Sequence, residues 1–572
     1  MKSTAIKYFY LVFMIKNNSI LIYLFAIPTL LFFLIFDYKI LDTSYLDWFW
    51  DDTYQHWLGW SFYRSTDLFQ FPLLSNYSFG MKSAGSLVYS DSIPILSILF
   101  RPFSSFLDFH FQYFGFWVFA SVILQYIVSF KIMKIFSSNL LFNLISACFF
   151  VISPVLIYRY NVGHESLTSQ WLVLMALYFH LKKERTSDKS WLFLILFSLL
   201  VHAYFFAMIL IIYFIELSKR YFTEKEKFLL LSKKLLTAII SSLLLMYILG
   251  YFTIEDVFHG GYGGYRSNLL SLINPYANLF AISSLIPKYS FFELNKIGDH
   301  EGFAYLGLGI LIMSFAIIVL SLYKFKYSNF LSSIKEGKYL LALSFIIIIF
   351  SLSNKIALGP YEIFQYNVPE VFKVFTSPYR ASGRMIWPVY YIIYIIVLSK
   401  VFINFKPKKS IVILLSCLLL TAYDIKDHIG ISRSSRGSVE VSKIEERSFK
   451  DKKWRIFAKK YASVSYVFPV YAPVNWKEIS YFAVKNGMST NGGYWARHNE
   501  IAEFEYSENI KKEIENDAYN VDTLYYFNDD EYWELAKKNS SSRHFIGKVD
   551  SYRILAPNYF LKKWVLTIKA VF

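Results

Sequence analysis

Between residues 18 and 424 the chain returns repeatedly to apolar runs that approach the roughly 20 residues needed to cross a bilayer. A chain built this way must hide those runs in lipid or in protein. Only 18% of its residues are charged, against about 25% in an ordinary soluble protein. Together these features imply a polytopic α-helical membrane protein. The net charge of +17 does not redirect this reading toward nucleic acid. Much of the Lys and Arg sits in short loops between apolar runs, where it sets orientation, and no basic nucleic-acid module is present. Cys148 and Cys417 both lie inside apolar runs, which leaves no disulfide framework and no thiol metal site. The first run lacks a small-residue cleavage site and reads as a retained span.

Orientation is set by the basic residues. Lys2, Lys7 and Lys16 precede the run 18–38, which predicts a cytoplasmic N-terminus and an outer loop from about 39 to 110. Further runs at 111–135, 140–158, 167–181, 235–252, 303–322, 339–353, 385–403 and 410–424 alternate across the membrane. The stretch 191–217 reads as a short hairpin turning near 202–206, because the basic SKRYFTEKEKF after it belongs inside. About eleven spans result. After residue 430 the composition becomes charged and strand-prone, with alternating runs at 463–471 and 523–528 and helical segments at 440–460 and 500–517. The expected division is a transmembrane domain over 1–429 and an outer α/β domain over 430–572.

The polar residues of the apolar region collect on one predicted face. Asp51, Asp52, His56 and Asp91 fall on the first outer loop. Tyr54, Trp57, Leu58 and Phe62 are at helical spacing there, which predicts an amphipathic helix along the interface. Ser92–Phe103 reads as a second one. Arg159, His164 and Glu165 fall on the next outer loop, and His202 and Tyr204 at the hairpin tip. Arg266, His300 and Glu301 precede the run at 303, and Arg380 and Arg384 precede the run at 385. An outward cavity roofed by the C-terminal domain would gather them all. An interfacial carboxylate can act as general base on a hydroxyl, and several Arg and His can hold a phosphate. Arg380 and Arg384, one helical turn apart, could face the same anion. Each acid has a plainer reading as a helix cap or first-turn charge.

Four segments carry a resemblance: DTYQHWLGWSFYR (52–64), YSDSIP (89–94), EGFAYLGLG (301–309) and SPYRASGRMIWPVYY (377–391). They resemble a bacterial integral-membrane family of GT-C architecture, the superfamily of polyprenyl-phosphate-sugar-dependent glycosyltransferases. That resemblance implies an enzyme of the bacterial cytoplasmic membrane that passes a sugar, with inversion, from a polyprenyl-phosphate donor to an extracytoplasmic glycan, lipid or protein. It implies that Asp52 is the base, with Asp51 its rival and His56 and Asp91 in support. Arg159, His164, Arg380 and Arg384 would hold the lipid phosphate. A divalent metal occurs in some relatives, with Asp91 as the second carboxylate, but no tight acidic or His cluster supports one and none is expected. Two other functions fit the composition: a transporter of lipid-linked oligosaccharide, and a non-catalytic assembly factor for envelope polysaccharide.

Overall fold

A computed structural model describes residues 20–254, 261–277, 280–323, 327–434, 437–469 and 472–560. Lys2, Lys7 and Lys16, on which the expected orientation rests, lie outside the described residues. The chain divides into two compact units. Unit 1 holds residues 1–42, 113–242 and 259–435; unit 2 holds 43–112, 243–258 and 436–572. The long first loop therefore folds with the C-terminal segment.

The helices begin with α1 (Ile20–Ile35), α2 (Asp51–Tyr63) and α3 (Pro94–Phe100). Next come α4 (Phe114–Phe136), α5 (Leu140–Val151), α6 (Pro154–Asn161), α7 (Trp171–Leu181), α8 (Asp188–Leu199), α9 (Ala203–Phe222) and α10 (Phe228–Leu249). After a loop with a small hairpin of β1 (Tyr276–Ala277) and β2 (Phe280–Ala281) come α11 (Leu308–Tyr323) and α12 (Tyr327–Leu352). A second hairpin, β3 (Lys355–Leu358) and β4 (Tyr361–Gln365), leads to α13 (Glu370–Thr376), α14 (Trp387–Asn404), α15 (Pro407–Asp424) and α16 (Lys426–Ser432).

Among the described residues four helical stretches are long and apolar enough to cross a membrane: Phe114–Phe136, Leu140–Asn161, Phe228–Leu249 and Ser382–Asn404. Three further apolar helices, Ile20–Ile35, Leu308–Tyr323 and Gly337–Leu352, are shorter. The expectation of eleven spans in a GT-C-like arrangement is thereby corrected. Hydropathy records how apolar a run is, not where its backbone breaks. The run 167–181 yields the 11-residue α7. The run 410–424 lies in α15, which opens on Lys408 and Lys409 and closes on Asp424.

The stretch 191–217 folds as a hairpin. It turns at residues 200–202, where the His202 ring accepts the Tyr204 N–H (3.2 Å) and caps α9. Arg220 near the far end of α9 reaches Asp188 at the start of α8 (2.6 Å), so the two helices run antiparallel. Arg220 also meets Glu216 (3.0 Å), and Glu216 meets His180 of α7 (2.8 Å). Three helices are thus joined by a network in which buried Arg220 and Glu216 pair with each other and with the partly exposed Asp188 and with His180.

Unit 2 is built on a five-stranded sheet of order β6-β5-β7-β9-β8, with β5 (Ser463–Tyr466), β6 (Ser489–Thr490), β7 (Thr523–Tyr526), β8 (Phe545–Val549) and β9 (Tyr552–Ala556). β6, β5 and β7 are parallel, and β9 pairs antiparallel with both β7 and β8. After α17 (Ile444–Ser448) and α18 (Lys453–Lys460), the crossovers are made by α19 (Trp476–Lys485) and α20 (Glu500–Glu515), and α21 (Asp530–Asn539) leads to β8. Ile510, Ile514, Tyr525, Trp533 and Leu555 form part of a core between sheet and helices. The edge at β6 does not stay open. Gly80 donates to the Thr490 carbonyl (2.8 Å) and Thr490 to that of Ser78 (2.9 Å), so the first loop extends the sheet.

This docking changes the nature of α2. Every residue from Thr53 to Tyr63 is buried. Trp57 stacks on Tyr481 of α19, Tyr54 meets Trp476, and the Tyr54 hydroxyl donates to the Lys477 carbonyl (3.0 Å). The expected interfacial amphipathic helix over 52–64 is instead a core helix of unit 2, because aromatic side chains of α19 cover its apolar face. In the second expected helix, α3 and the 3-10 turns after it, Leu99, Phe103 and Phe106 are exposed.

Candidate functional site

In unit 1 the cationic candidates assemble around one carboxylate. Arg159 lies in the last turn of α6, and Arg384 lies in the 3-10 turn Ser382–Ile386 that opens into α14. Both reach Glu301. Arg159 donates to Glu301 Oε2 (2.6 Å) and to the Glu301 backbone carbonyl (2.7 Å). Arg384 grips the same carboxylate in a fork, Nε to Oε2 at 2.8 Å and Nη2 to Oε1 at 2.7 Å. Arg159 ends one membrane-length helix and Arg384 begins another, so these two ends face the same side of unit 1.

Arg159 also lies 3.1 Å from Nδ1 of His164. Two guanidiniums thus converge on one carboxylate, with His300 3.9 Å from Glu301. Burial by itself would raise the Glu301 carboxyl; Arg159 and Arg384 outweigh it and hold the group well below the usual carboxylate range. Arg159 is wholly enclosed and lies over the rings of Trp387 and Tyr158 (5.3 and 5.4 Å). Arg384 keeps some exposure and lies over Tyr204 (5.0 Å), whose hydroxyl accepts the Ala381 N–H (2.8 Å). Tyr204 thus joins the cluster.

Other candidates take different places. Arg380 lies over Tyr265 (5.7 Å) and against Gly261. It lies before the 3-10 turn that carries Arg384, so the expectation that both share one helical face is corrected: the segment 377–386 is turn and 3-10 helix, and its spacing is not 3.6. Arg266 is wholly buried and engaged by Asp299 (3.1 Å), Glu362 (3.0 Å), Asn295 (2.6 Å) and the Lys355 carbonyl. Those contacts make it an anchor for the β3–β4 hairpin rather than an anion ligand. Glu301 likewise buttresses the two arginines. Glu165 is enclosed at the start of a 3-10 turn, and His202 is the cap of α9. A small hollow with room for about one water lies beside Asp299 and His300.

Unit 2 carries the acids. Asp51 and Asp52 fall in the first turn of α2, where the helix dipole favours negative charge, and neither is its N-cap. Asp51 is exposed and occupied by Ser438 (2.5 Å) and Lys477 (2.8 Å). Asp52 is half-buried beside it. Asp91 is held in a strained loop. Asp91 and Ile93 have φ of 49° and 50°, a left-handed conformation that a β-branched residue such as Ile93 rarely adopts. The Ser92 hydroxyl donates to the His56 carbonyl (2.6 Å), and Ser90 and Ser92 share a hydrogen bond (2.8 Å). Gly59 makes this approach possible, since a Cβ there would run into the Ser90 and Ser92 hydroxyls. Backbone strain beside a half-buried carboxylate is a mark of a functional site. Among the described residues no three His, Cys, Asp or Glu side chains are grouped to hold a metal ion.

The model of the domain of unknown function DUF6311 matches residues 25–426, and that of the DUF6311 C-terminal domain matches residues 453–557. The chain belongs to the DUF6311 family. No curated protein matches it. In this DUF6311 chain, sequence reasoning missed the Gly59–Ser90–Ser92 clasp and the Trp387 ring under Arg159. A glycine in the middle of a helix costs about 1 kcal/mol, and that cost was the available signal for Gly59. Nothing local marked Trp387, whose partner lies far away along the chain. The segment 494–500 ties the C-terminal segment to the first loop within unit 2: Ala496 donates to the Tyr89 carbonyl (2.7 Å) and Trp495 meets Phe79.

Proposed function

We propose that this chain is a membrane glycosyltransferase that takes a sugar from a polyprenyl-phosphate donor and passes it to a hydroxyl on the outer side of the bacterial cytoplasmic membrane. The observation that carries the reading is the convergence of Arg159 and Arg384 on Glu301 at the ends of two membrane-length helices. Buried ionisable groups are costly, and function is a common reason to keep them. In the reaction the acceptor oxygen bonds to the sugar C1, the C1–O bond to phosphate breaks, and its electron pair leaves with the polyprenyl phosphate. The acceptor proton goes to a carboxylate base. Such a step needs a base and an anion holder. The candidates for each role are tested separately.

Asp52 is the base in this reading, the position that the resemblance of segment 52–64 implies, half-buried in the first turn of α2. Asp91, in its strained loop, supports it. Arg384 carries the phosphate contact, while Arg159, fully enclosed, holds Glu301 in place. The decisive experiment is sugar transfer by the reconstituted protein from a lipid-phosphate-linked donor. Loss of a general base costs about 10²–10⁴ in rate, so Asp52→Asn should lose at least about a hundredfold while Asp51→Asn stays near wild type. Equal rates for Asp52→Asn and wild type would remove the assignment. Arg384→Gln should raise the donor KM more than it lowers kcat.

A further inference from the structure

We propose that β4 and α13 form an apolar arm that seats in a lipid leaflet beside the entry to the span Ser382–Asn404. This goes beyond the transferase reading and rests on membrane association rather than on transfer.

The arm is exposed where a water-facing segment would be polar. On β4, Tyr361, Ile363 and Phe364 are each more than half exposed, and no residue of the strand is buried. On α13, Val371, Phe372, Val374 and Phe375 are also each more than half exposed. Helical spacing puts these four on one side of two turns, with Glu370, Lys373 and Thr376 on the other. Thr376, from the polar side, is the buried residue. Glu370 and Lys373 are exposed as well, so α13 stands clear of the protein up to Thr376 and its apolar side is left uncovered, unlike that of a helix docked on a core. Glu370 and Lys373 neutralise one another at 2.5 Å, which leaves little charge to resist immersion.

The root of the arm is prepared for low dielectric. Lipid offers no hydrogen bonds, so irregular backbone near it must be satisfied from within. Asn268 donates to the Gly359 carbonyl (2.8 Å) and accepts the Gly359 N–H (2.9 Å). Asn295 donates to the Pro360 carbonyl (2.8 Å), Asn354 to that of Tyr366 (3.1 Å), and buried Arg266 to that of Lys355. Lipid is favoured over a protein partner by continuity. Phe345, Ile346 and Ile349 in the last turns of α12, one of the shorter apolar helices, are exposed too, so exposed apolar side chains lead up to the hairpin as well as line the arm. Lys373 has the length to keep its ammonium at the headgroups.

The test places single bimane labels on the full chain in phospholipid nanodiscs. Phe372→Cys and Phe375→Cys report the apolar side, Glu370→Cys the polar side, and Lys548→Cys on β8 the solvent. Both native thiols are buried, and the unsubstituted protein serves as blank. Quenching by acyl-brominated lipid should be about threefold stronger at 372 and 375 than at 370 and 548, with aqueous iodide showing the opposite order. Iodide quenching at 372 and 375 equal to that at 548 would overturn the proposal. So would protection from both quenchers, which would mean that a protein covers the arm. Transfer by a protein whose arm stays in water would leave the transferase reading standing and this one refuted, and a seated arm without transfer would do the reverse.

Discussion

Glu301→Gln tests the cationic cluster at its centre. Three N–H groups converge on the carboxylate, from Arg159 Nη1 at 2.6 Å and from Arg384 Nε and Nη2 at 2.8 and 2.7 Å. Glutamine offers one acceptor oxygen where glutamate offered two, so at least one donor would meet an NH₂ group. Removing one partner from a buried ion pair costs about 3–5 kcal/mol, because the charge left behind cannot reach water. The Arg159 bond to the Glu301 backbone carbonyl survives the substitution, which places the expected loss near 3 kcal/mol. Equilibrium unfolding in mixed micelles measures it. Arg159 and Arg384 hold the Glu301 carboxyl well below its usual range, so the charge is worth its full stability above about pH 4.5 and loses it only as pH falls further. The gap between wild type and variant should therefore be flat from about pH 8 to 5 and close in stronger acid. A gap under about 1 kcal/mol, or one that closes between pH 7 and 5, would refute the cluster as described. A triple change of Arg159→Met, Glu301→Leu and Arg384→Met removes the charges together. It should restore most of the stability and none of the transfer.

Two further substitutions probe the acidic loop. Gly59→Ala should destabilise unit 2 by about 1–3 kcal/mol, since the added methyl must push Ser90 and Ser92 off α2; thermal unfolding reads the loss, and Ser90→Gly in the same chain should recover part of it. Asp91→Asn keeps a side chain that tolerates positive φ, so stability should stay within about 0.5 kcal/mol while transfer falls at least about tenfold.

The legible parts of the fold were those with a local cause. A basic stretch after 217 demanded a hairpin in 191–217, and the hairpin is there, closed by Arg220 and Asp188. The alternating runs at 463 and 523 became β5 and β7. The span count failed because apolar composition persists through helix ends: the run 167–181 begins in the 3-10 turn Glu165–Thr168 and leaves only the 11-residue α7. Site residues divide the same way. Residue type and predicted sidedness pointed to Arg159, His164, Tyr204, Glu301 and Arg384, which do meet in unit 1. Their roles within the cluster could not be read, because whether Glu301 binds substrate or neutralises two arginines depends on partners more than eighty residues away along the chain. Arg266 looked free in sequence for the same reason.

The first loop poses a harder case, because its helix reads as amphipathic and is buried on every side. Composition and the family models both place a boundary in the chain after about residue 426, yet the loop 43–112 has no core without the C-terminal segment. Trp57 lies against Tyr481, Tyr54 against Trp476, and Gly437 donates to the Asp47 carbonyl and packs so closely on Phe49 that a Cβ would not fit. Removing residues 437–572 would bare both α2 aromatics, each worth about 1.5–3 kcal/mol of burial, in a loop whose single strong helix has 13 residues. Such a helix is marginal in water by itself. The truncated chain should therefore keep its membrane-length helices and lose protease resistance between residues 43 and 112, the segment that carries Asp52 and Asp91. Limited proteolysis with fragment mapping distinguishes the outcomes: a truncated chain whose first loop resists cleavage as well as the full chain does would show that the acids are positioned without the C-terminal sheet.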